Sequence, residues 1–136
     1  LGDTLTFEYD ETLYSERIDR DSVITGDKDL ILQNSNKIEL TEHLFDKDAL
    51  IFSNVKSNYV ILNEKKAGKH IRFTFGDSPF LAIWAKPAAP FVCIEPWYGV
   101  NDSYEKTTDF SKKRGIQKLS SDEKFEFSWS AEFKED

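Results

Sequence analysis

Strict alternation of apolar and polar residues near the C-terminus is the feature that most constrains the fold. Apolar side chains occupy every second position there, namely Phe125, Phe127, Trp129, Ala131 and Phe133. A period of two puts these side chains on one face of an extended chain, whereas an amphipathic helix needs a period near 3.6. The stretch 124–133 is therefore predicted to be a half-buried antiparallel strand.

Shorter patterns predict further strands along the chain. The runs 80–84 and 91–94 are apolar without alternation, which is typical of central strands covered on both faces. Other strands are predicted at 4–9, 30–32, 49–52, 58–62, 70–75 and 116–119, about nine in all, with one helical turn at 41–45. This pattern predicts an all-β antiparallel sandwich.

Charge and composition exclude several classes of function. The 136 residues suggest one domain, and a net charge of −7 disfavours binding to nucleic acid or to an anionic membrane. No apolar stretch is long enough to span a bilayer, and residues 1–4 do not resemble a signal peptide. Cys93, the single cysteine, lies among apolar neighbours and is predicted to be a reduced core residue and not a nucleophile. We expect a cytoplasmic protein.

Methionine is absent from the chain, which begins at Leu1. A primary translation product starts with methionine, so we expect that part of the natural protein lies outside this sequence.

One segment combines a carboxylate with aromatic residues in a way that suggests a site. Glu95 follows four apolar residues and precedes Pro96, Trp97 and Tyr98. Since the residue before a proline favours an extended backbone, the strand is predicted to end at Glu95 and to present its carboxylate at the edge of the sheet. Trp97 and Tyr98 suit the lining of a sugar pocket. An ordinary edge carboxylate bound to backbone amides is the alternative.

The block FVCIEPWYG at 91–99, with FDKDALIF at 45–52 and GIQKLSSDEKFEFSWS at 115–130, resembles the aldose 1-epimerase (galactose mutarotase) superfamily, in particular its LacX-like branch. Members of that family fold as an antiparallel β-sandwich of about twice this length. The resemblance implies that residues 1–136 are the C-terminal part of one mutarotase-like supersandwich domain.

The resemblance also implies a mechanism and roles for particular residues. Family enzymes interconvert the α and β anomers of a free aldose without a cofactor, and Glu95 matches the glutamate that takes the proton from the C1 hydroxyl. An aspartate that holds sugar hydroxyls corresponds to Asp48 or Asp46, of which Asp48 fits better because it directly precedes an apolar strand. The family's acid is a histidine in a His-Pro segment, and this chain contains no such segment.

Other polar residues give weaker signals. Lys86 lies between two predicted strands and could reach a sugar hydroxyl or a phosphate, although a solvated turn lysine is the more ordinary interpretation. His43 lies in the predicted turn, close in sequence to Asp48, and could border the pocket, whereas His70 falls on the solvent-facing side of a strand. Two histidines with one cysteine give no zinc spacing. Arg114 belongs to a basic cluster typical of a solvated loop.

Four functions remain open at this level. A mutarotase-like isomerase acting on a monosaccharide is favoured over a hexose-6-phosphate 1-epimerase, a glycoside hydrolase that uses Glu95 and Asp48, and a non-catalytic carbohydrate-binding sandwich. The oligomeric state is not indicated by the sequence.

Overall fold

An antiparallel β-sheet dominates the computed structural model, which describes residues 2–66, 68–105 and 109–135. These residues form eight strands: β1 (Thr4–Ile18), β2 (Ile24–Glu39), β3 (Leu50–Ser53), β4 (Tyr59–Glu64), β5 (Lys69–Thr74), β6 (Phe80–Trp84), β7 (Cys93–Trp97) and β8 (Ser130–Glu135). One 3₁₀ turn covers Phe110–Lys112. The strand ladders are antiparallel, so the predicted all-β class is confirmed.

β1 is the strand to which both halves of the sheet attach. β2 pairs with one edge of β1, while the other edge pairs with β4 near Thr4–Phe7 and with β3 at Ser15. From β4 the sheet continues through β5 to β8, and from β3 it continues through β6 to β7. The sheet therefore has two arms that diverge from a single long strand.

The two arms cover the same apolar core. Phe7 on β1 and Val60 on the β4 arm join Phe52, Leu81 and Ile83 on the β3 arm in one cluster of buried side chains. Because apolar faces of both arms contribute to one cluster, the sheet curls around it, and burial of these faces drives the curl.

A buried carboxylate lies where the arms separate. Glu11 is 2% exposed, and its Oε1 accepts hydrogen bonds from Lys56 N at 3.0 Å, Ser57 N at 2.8 Å and Ser57 Oγ at 2.7 Å. These contacts join β1 to the loop between β3 and β4. Glu11 thus satisfies backbone donors that the loop would otherwise leave unpaired in the interior.

Several strand boundaries differ from the sequence-based prediction. β1 and β2 run for 15 and 16 residues, so the predicted strand at 30–32 is part of β2, and no strand forms at 116–119. β7 starts at Cys93 instead of residue 91 and is an edge strand, so the prediction of a central position is wrong. The predicted turn at 41–45 is observed as consecutive hydrogen-bonded turns, with Phe45 buried.

The long C-terminal strand is also shorter than predicted. Only Ser130–Glu135 forms β8, while residues 124–129 lie outside any strand ladder and are exposed. The reason lies in β5, which ends at Thr74 opposite Ser130 before the chain turns at Gly76. Upstream of Ser130 the β5 edge therefore offers no ladder partner.

Replacing Glu11 should destabilise the protein measurably. Glu11→Ala removes the acceptor for three donors at the point where the two arms separate. Since unpaired buried donors cost about 1–3 kcal/mol each, we expect the free energy of unfolding to fall by about 3 kcal/mol. Urea unfolding followed by circular dichroism would measure this. The matched control is the exposed neighbour Asp10→Ala, which should change stability by less than about 0.5 kcal/mol; equal midpoints for the two variants would contradict the role of Glu11.

Candidate functional site

Glu95 lies within β7, on the face that points away from the main core. Alternation along the strand puts Cys93, Glu95 and Trp97 on one face, while Ile94 packs against the core on the other. β7 continues through Pro96 to Trp97, so the prediction that the strand stops at Glu95 is wrong. Because β7 is an edge strand, a proline with no N–H donor is tolerated there. Glu95 is half-buried at the rim of the sheet.

The floor beside Glu95 is apolar and spans three further strands. Glu95 pairs with Ala82, Ala82 pairs with Ile51, and the register of Ser15 with Phe52 places Glu16 next to Ile51. Residues directly opposite in a sheet share a face. Two carboxylates, Glu16 and Glu95, therefore flank a floor formed by Ile51 and Ala82, both fully buried.

Trp97 fixes the orientation of the Glu95 carboxylate. Its indole Nε1 donates a hydrogen bond to Glu95 Oε2 at 3.0 Å, and its backbone pairs with Phe80 in the β6–β7 ladder. An indole N–H can only donate, so this contact holds one oxygen of the carboxylate in place. The indole N–H of Trp97 is thus directed to Glu95, and a role for Trp97 in binding sugar stays a prediction.

Cys93 lies one pleat before Glu95 on the same face. Burial raises the pKa of the Cys93 thiol, and the neighbouring Glu95 carboxylate raises it further through its charge and a hydrogen bond. A thiol held protonated is a poor nucleophile. The raised pKa agrees with the prediction that Cys93 is not a nucleophile. The prediction of a core residue is wrong, because Cys93 is half-buried on the face away from the main core.

Tyr98 faces an aromatic group that the sequence did not pair with it. Its ring contacts Phe125 and Phe127 at centroid distances of 4.9 and 5.2 Å, and its hydroxyl donates to Asp77 Oδ1 at 2.6 Å. That hydrogen bond raises the pKa of the Tyr98 hydroxyl. Trp97 and Tyr98 line an open groove of about 550 Å³, together with Phe125 and Phe127.

Asp48 and Lys86 lie beyond the β3–β6 ladder, which starts with Leu50 opposite Ile83. Both side chains are exposed, and Asp48 Oδ1 accepts from Ala49 N at 2.7 Å. Asp48 also has a positive φ of 80°, a conformation that costs energy outside glycine but is commoner for aspartate than for most residues. From about 3.3 Å per residue and about 4.8 Å per strand, its backbone lies roughly 14 Å from that of Glu95.

Asp46 and the histidines have other surroundings. His43 Nδ1 contacts Asp46 Oδ2 at 2.9 Å, and both side chains are exposed in the turn. His70 lies on β5, in the arm that does not carry Glu95. The structure therefore does not bring either histidine to the β7 face.

An ion pair that the sequence did not indicate lies at the other end of the floor. Arg114 donates to Glu16 Oε2 at 2.8 Å, and its guanidinium lies 5.2 Å from the centroid of the Phe80 ring. Glu16 is 3% exposed, and its Oε1 has no hydrogen-bond partner in the described part of the chain. The only sequence signal was Arg114 in a basic cluster, because Glu16 sits in an alternating strand that gives no sign of burying a carboxylate.

The described residues were searched for a metal-binding cluster and for a membrane-spanning helix. Within 2–66, 68–105 and 109–135, no group of three or more His, Cys, Asp or Glu side chains is arranged to hold a metal ion. No helix in these ranges has the length and apolarity needed to span a membrane.

The thiol of Cys93 should report the charge of Glu95. In Glu95→Gln the carboxylate that raises the thiol pKa is removed, so the pKa falls and a larger fraction of the thiol is ionised at pH 8. The rate of reaction with a disulfide reagent at pH 8 should therefore increase. The control Glu126→Gln, an exposed residue, should react as the parent does; the same rate in all three proteins would contradict the Glu95–Cys93 contact.

Loss of the Arg114 guanidinium should cost stability because it leaves Glu16 buried without a partner. Because Arg114 is half-exposed, we expect Arg114→Ala to lower the free energy of unfolding by about 2 kcal/mol. This lies between the effects of breaking a surface ion pair and a fully buried one. Urea unfolding measures the difference. Lys112→Ala, which removes a largely exposed cation two residues away, should have little effect, and a comparable loss there would contradict the assignment.

Comparisons with known proteins are consistent with this geometry. No protein-family model matches the chain. The plasmid and chromosomal LacX proteins of Lactococcus lactis subsp. lactis are each 33% identical to it over 94 residues, which is 68% of this chain and 31% of theirs.

Two solved structures have the same fold. A galactose mutarotase related enzyme from Lactobacillus acidophilus matches with a TM-score of 0.84 and 27% identity, over 97% of this chain and 45% of that one. A galactose mutarotase-like protein from Lactobacillus casei matches with a TM-score of 0.76 and 26% identity over the same shares.

The chain thus spans about a third of the LacX proteins and less than half of the solved structures. The resemblance seen in the sequence is confirmed: the chain is a homologue of the LacX proteins and has the galactose mutarotase-like fold of the aldose 1-epimerase superfamily, over part of the length of these relatives.

Proposed function

We propose that this chain supplies the catalytic base of an aldose 1-epimerase, with Glu95 as the residue that takes the proton from the C1 hydroxyl of a free monosaccharide. The observation that carries the proposal is the placement of Glu95 on an edge strand, half-exposed, with one carboxylate oxygen held by Trp97. The Cys93 thiol also hydrogen-bonds this carboxylate, and we propose that a sugar hydroxyl approaches it from the exposed side of β7. The similarity to galactose mutarotase-related proteins supports the same role.

The reaction needs one base and one acid and no cofactor. Glu95 accepts the C1 hydroxyl proton while an acid protonates the ring oxygen, so that the bond between C1 and the ring oxygen breaks and an open-chain aldehyde forms. Rotation about the bond between C1 and C2, followed by the reverse transfers, gives the other anomer. Neither His43 nor His70 lies on the Glu95 arm, so we assign the acid to a histidine outside these 136 residues.

Asp48 and Lys86 are proposed to bind sugar hydroxyls from the end of the β3–β6 ladder. The backbone separation between Asp48 and Glu95, roughly 14 Å, leaves room for a sugar ring between the two side chains. Asp46 is the weaker candidate because its carboxylate already contacts His43. Tyr98 and Trp97 would contribute apolar surface at the rim of the same site.

A free sugar is favoured over a hexose phosphate. A phosphate site needs cations that are not already neutralised, yet Arg114 is paired with Glu16 and Lys113 is 2.7 Å from Asp102. Lys86 would have to bind a phosphate without their help. Arg72 lies over the Tyr59 ring on the opposite arm. A glycoside hydrolase is less favoured as well, because the similar solved structures are named as galactose mutarotase-related proteins. We expect a cytoplasmic enzyme that binds neither nucleic acid nor membranes.

Glu95→Gln should abolish catalysis while leaving sugar binding intact. The test uses a hybrid in which this chain replaces the matching 45% of the Lactobacillus acidophilus enzyme. Glutamine keeps the shape of the side chain but cannot accept the proton, so we expect polarimetric relaxation of fresh α-galactose or α-glucose to slow by at least about 10²-fold. The control Glu126→Gln should relax as the parent hybrid does, and an unchanged rate for Glu95→Gln would sink the proposal.

The 136-residue chain alone should be catalytically silent. It carries the proposed base but lacks a His-Pro segment to supply the acid. Polarimetry with and without the purified chain should give the same relaxation rate. Acceleration by the chain alone would show that the acid lies within these residues.

A further inference from the structure

Two segments that follow β7 cover part of the sheet face on which the candidate base lies. In residues 98–104, Val100 is buried and belongs to the apolar cluster that includes Phe80 of β6. In residues 109–117, the Arg114 guanidinium lies 5.2 Å from the centroid of the same Phe80 ring. Since β6 pairs with β7, both segments lie beside the strand that carries the base.

A carboxylate inside the protein holds Arg114 in this position. The guanidinium donates to Glu16 Oε2 at 2.8 Å, and the Glu16 side chain is only 3% exposed. Its other oxygen, Oε1, is buried and has no hydrogen-bond partner among the described residues. A buried carboxylate that loses its partner is strongly unfavourable. Glu16 therefore restrains the guanidinium above the Phe80 ring.

Gly115 brings the same segment directly against the end of β7. Its φ of 76° lies in the left-handed region that favours glycine. A β-carbon at this position would lie 2.9 Å from the Phe80 ring and 2.9 Å from the Tyr98 carbonyl oxygen. The segment and the end of β7 thus touch with no room for a side chain between them.

Trp97 connects this contact to the candidate base. It directly precedes Tyr98, its backbone pairs with Phe80, and its side chain packs against the cluster that contains Phe80 and Val100. Its indole Nε1 donates to Glu95 Oε2 at 3.0 Å. Because the indole ring is rigid, the contacts that orient the ring also orient the carboxylate oxygen that it binds.

We propose that Arg114 is a positioning residue that orients the Glu95 carboxylate for proton transfer. Held by Glu16, its guanidinium keeps the Phe80 ring in place, and the cluster around this ring keeps the Trp97 indole in place. The inference rests on the proposed function, since it assigns Arg114 a task in orienting the base of that reaction. Arg114 acts through other side chains, so its loss should slow the chemical step and leave sugar binding unchanged.

The first part of the test follows the Trp97 indole proton in the ¹⁵N-labelled chain without sugar. The signal is identified by its loss in Trp97→Phe. Its hydrogen bond to Glu95 slows exchange with water, so Arg114→Gln should accelerate exchange at least about fivefold. Lys112→Gln, which changes a largely exposed cation, is the matched control and should keep the parental rate.

A second variant separates orientation from unfolding. Arg114→Lys keeps a cation beside Glu16 but lacks the planar guanidinium that covers the Phe80 ring. It should therefore remain folded by circular dichroism and still accelerate exchange of the Trp97 indole proton.

The second part measures kcat and KM in the hybrid designed for Glu95→Gln. Arg114→Gln should lower kcat about tenfold and leave KM within about twofold of the parent. In a Trp97→Phe hybrid, which has already lost the indole contact, the same substitution should lower kcat no further. The two losses are not additive because both residues act on Glu95 through one chain of contacts.

Three results would overturn the proposal. The first is an indole exchange rate that is the same in the parent chain and in both Arg114 variants. The second is a kcat that Arg114→Gln leaves unchanged in a hybrid that Glu95→Gln inactivates, which would leave the proposed function intact. The third is an equal loss of kcat in the parent and Trp97→Phe hybrids. A hybrid that Glu95→Gln does not slow would instead contradict the proposed function, and the exchange rates alone would then decide whether Arg114 orients the carboxylate.

Discussion

The positions of the other strands depend on β1, because two separate arms of the sheet pair with one of its edges. A strand edge that changes partner midway leaves a gap in the ladder, and the loop between β3 and β4 enters that gap. The buried Glu11 carboxylate closes it by accepting three hydrogen bonds from Lys56 and Ser57. These hydrogen bonds hold the point where the arms separate, and the arms curl around a common core that includes Phe7 and Phe52. The position of β7, and hence of Glu95, follows from the register passed along β3 and β6.

The two faces of the sheet differ in what they contact. The inner face forms the core between the arms and becomes exposed to solvent at β8, where Phe133 is 77% exposed. The outer face of the β3 arm carries Glu95 and Glu16 across a floor of Ile51 and Ala82. Ile51 and Ala82 are themselves fully covered, Ile51 in a second apolar cluster with Ile24, Phe80 and Val100. A ligand therefore reaches this face at its margin, where the half-buried Glu95 lies. Trp97 joins this site to the groove, since it binds Glu95 and also lines the groove wall.

Periodicity predicted the fold class and the main strands because alternation reports which side chains share a face. It misplaced the C-terminal strand, since the extent of β8 depends on where β5 ends and not on residues 124–129 themselves. The position of Glu95 on a half-buried strand followed from its neighbours in sequence. The Glu16–Arg114 pair was missed because its members are 98 residues apart, and local patterns carry no information about such a contact. The same holds for the packing of Tyr98 against Phe125 and Phe127.

The central proposal is that the Glu95 carboxylate meets the anomeric hydroxyl of a sugar bound at the exposed margin of β7. A crystal structure of the Glu95→Gln hybrid soaked with galactose tests it most directly. We expect the side-chain amide at position 95 to lie about 3 Å from the C1 hydroxyl oxygen, with Asp48 near another hydroxyl. A sugar bound in the aromatic groove, or with C1 directed away from position 95, would contradict it.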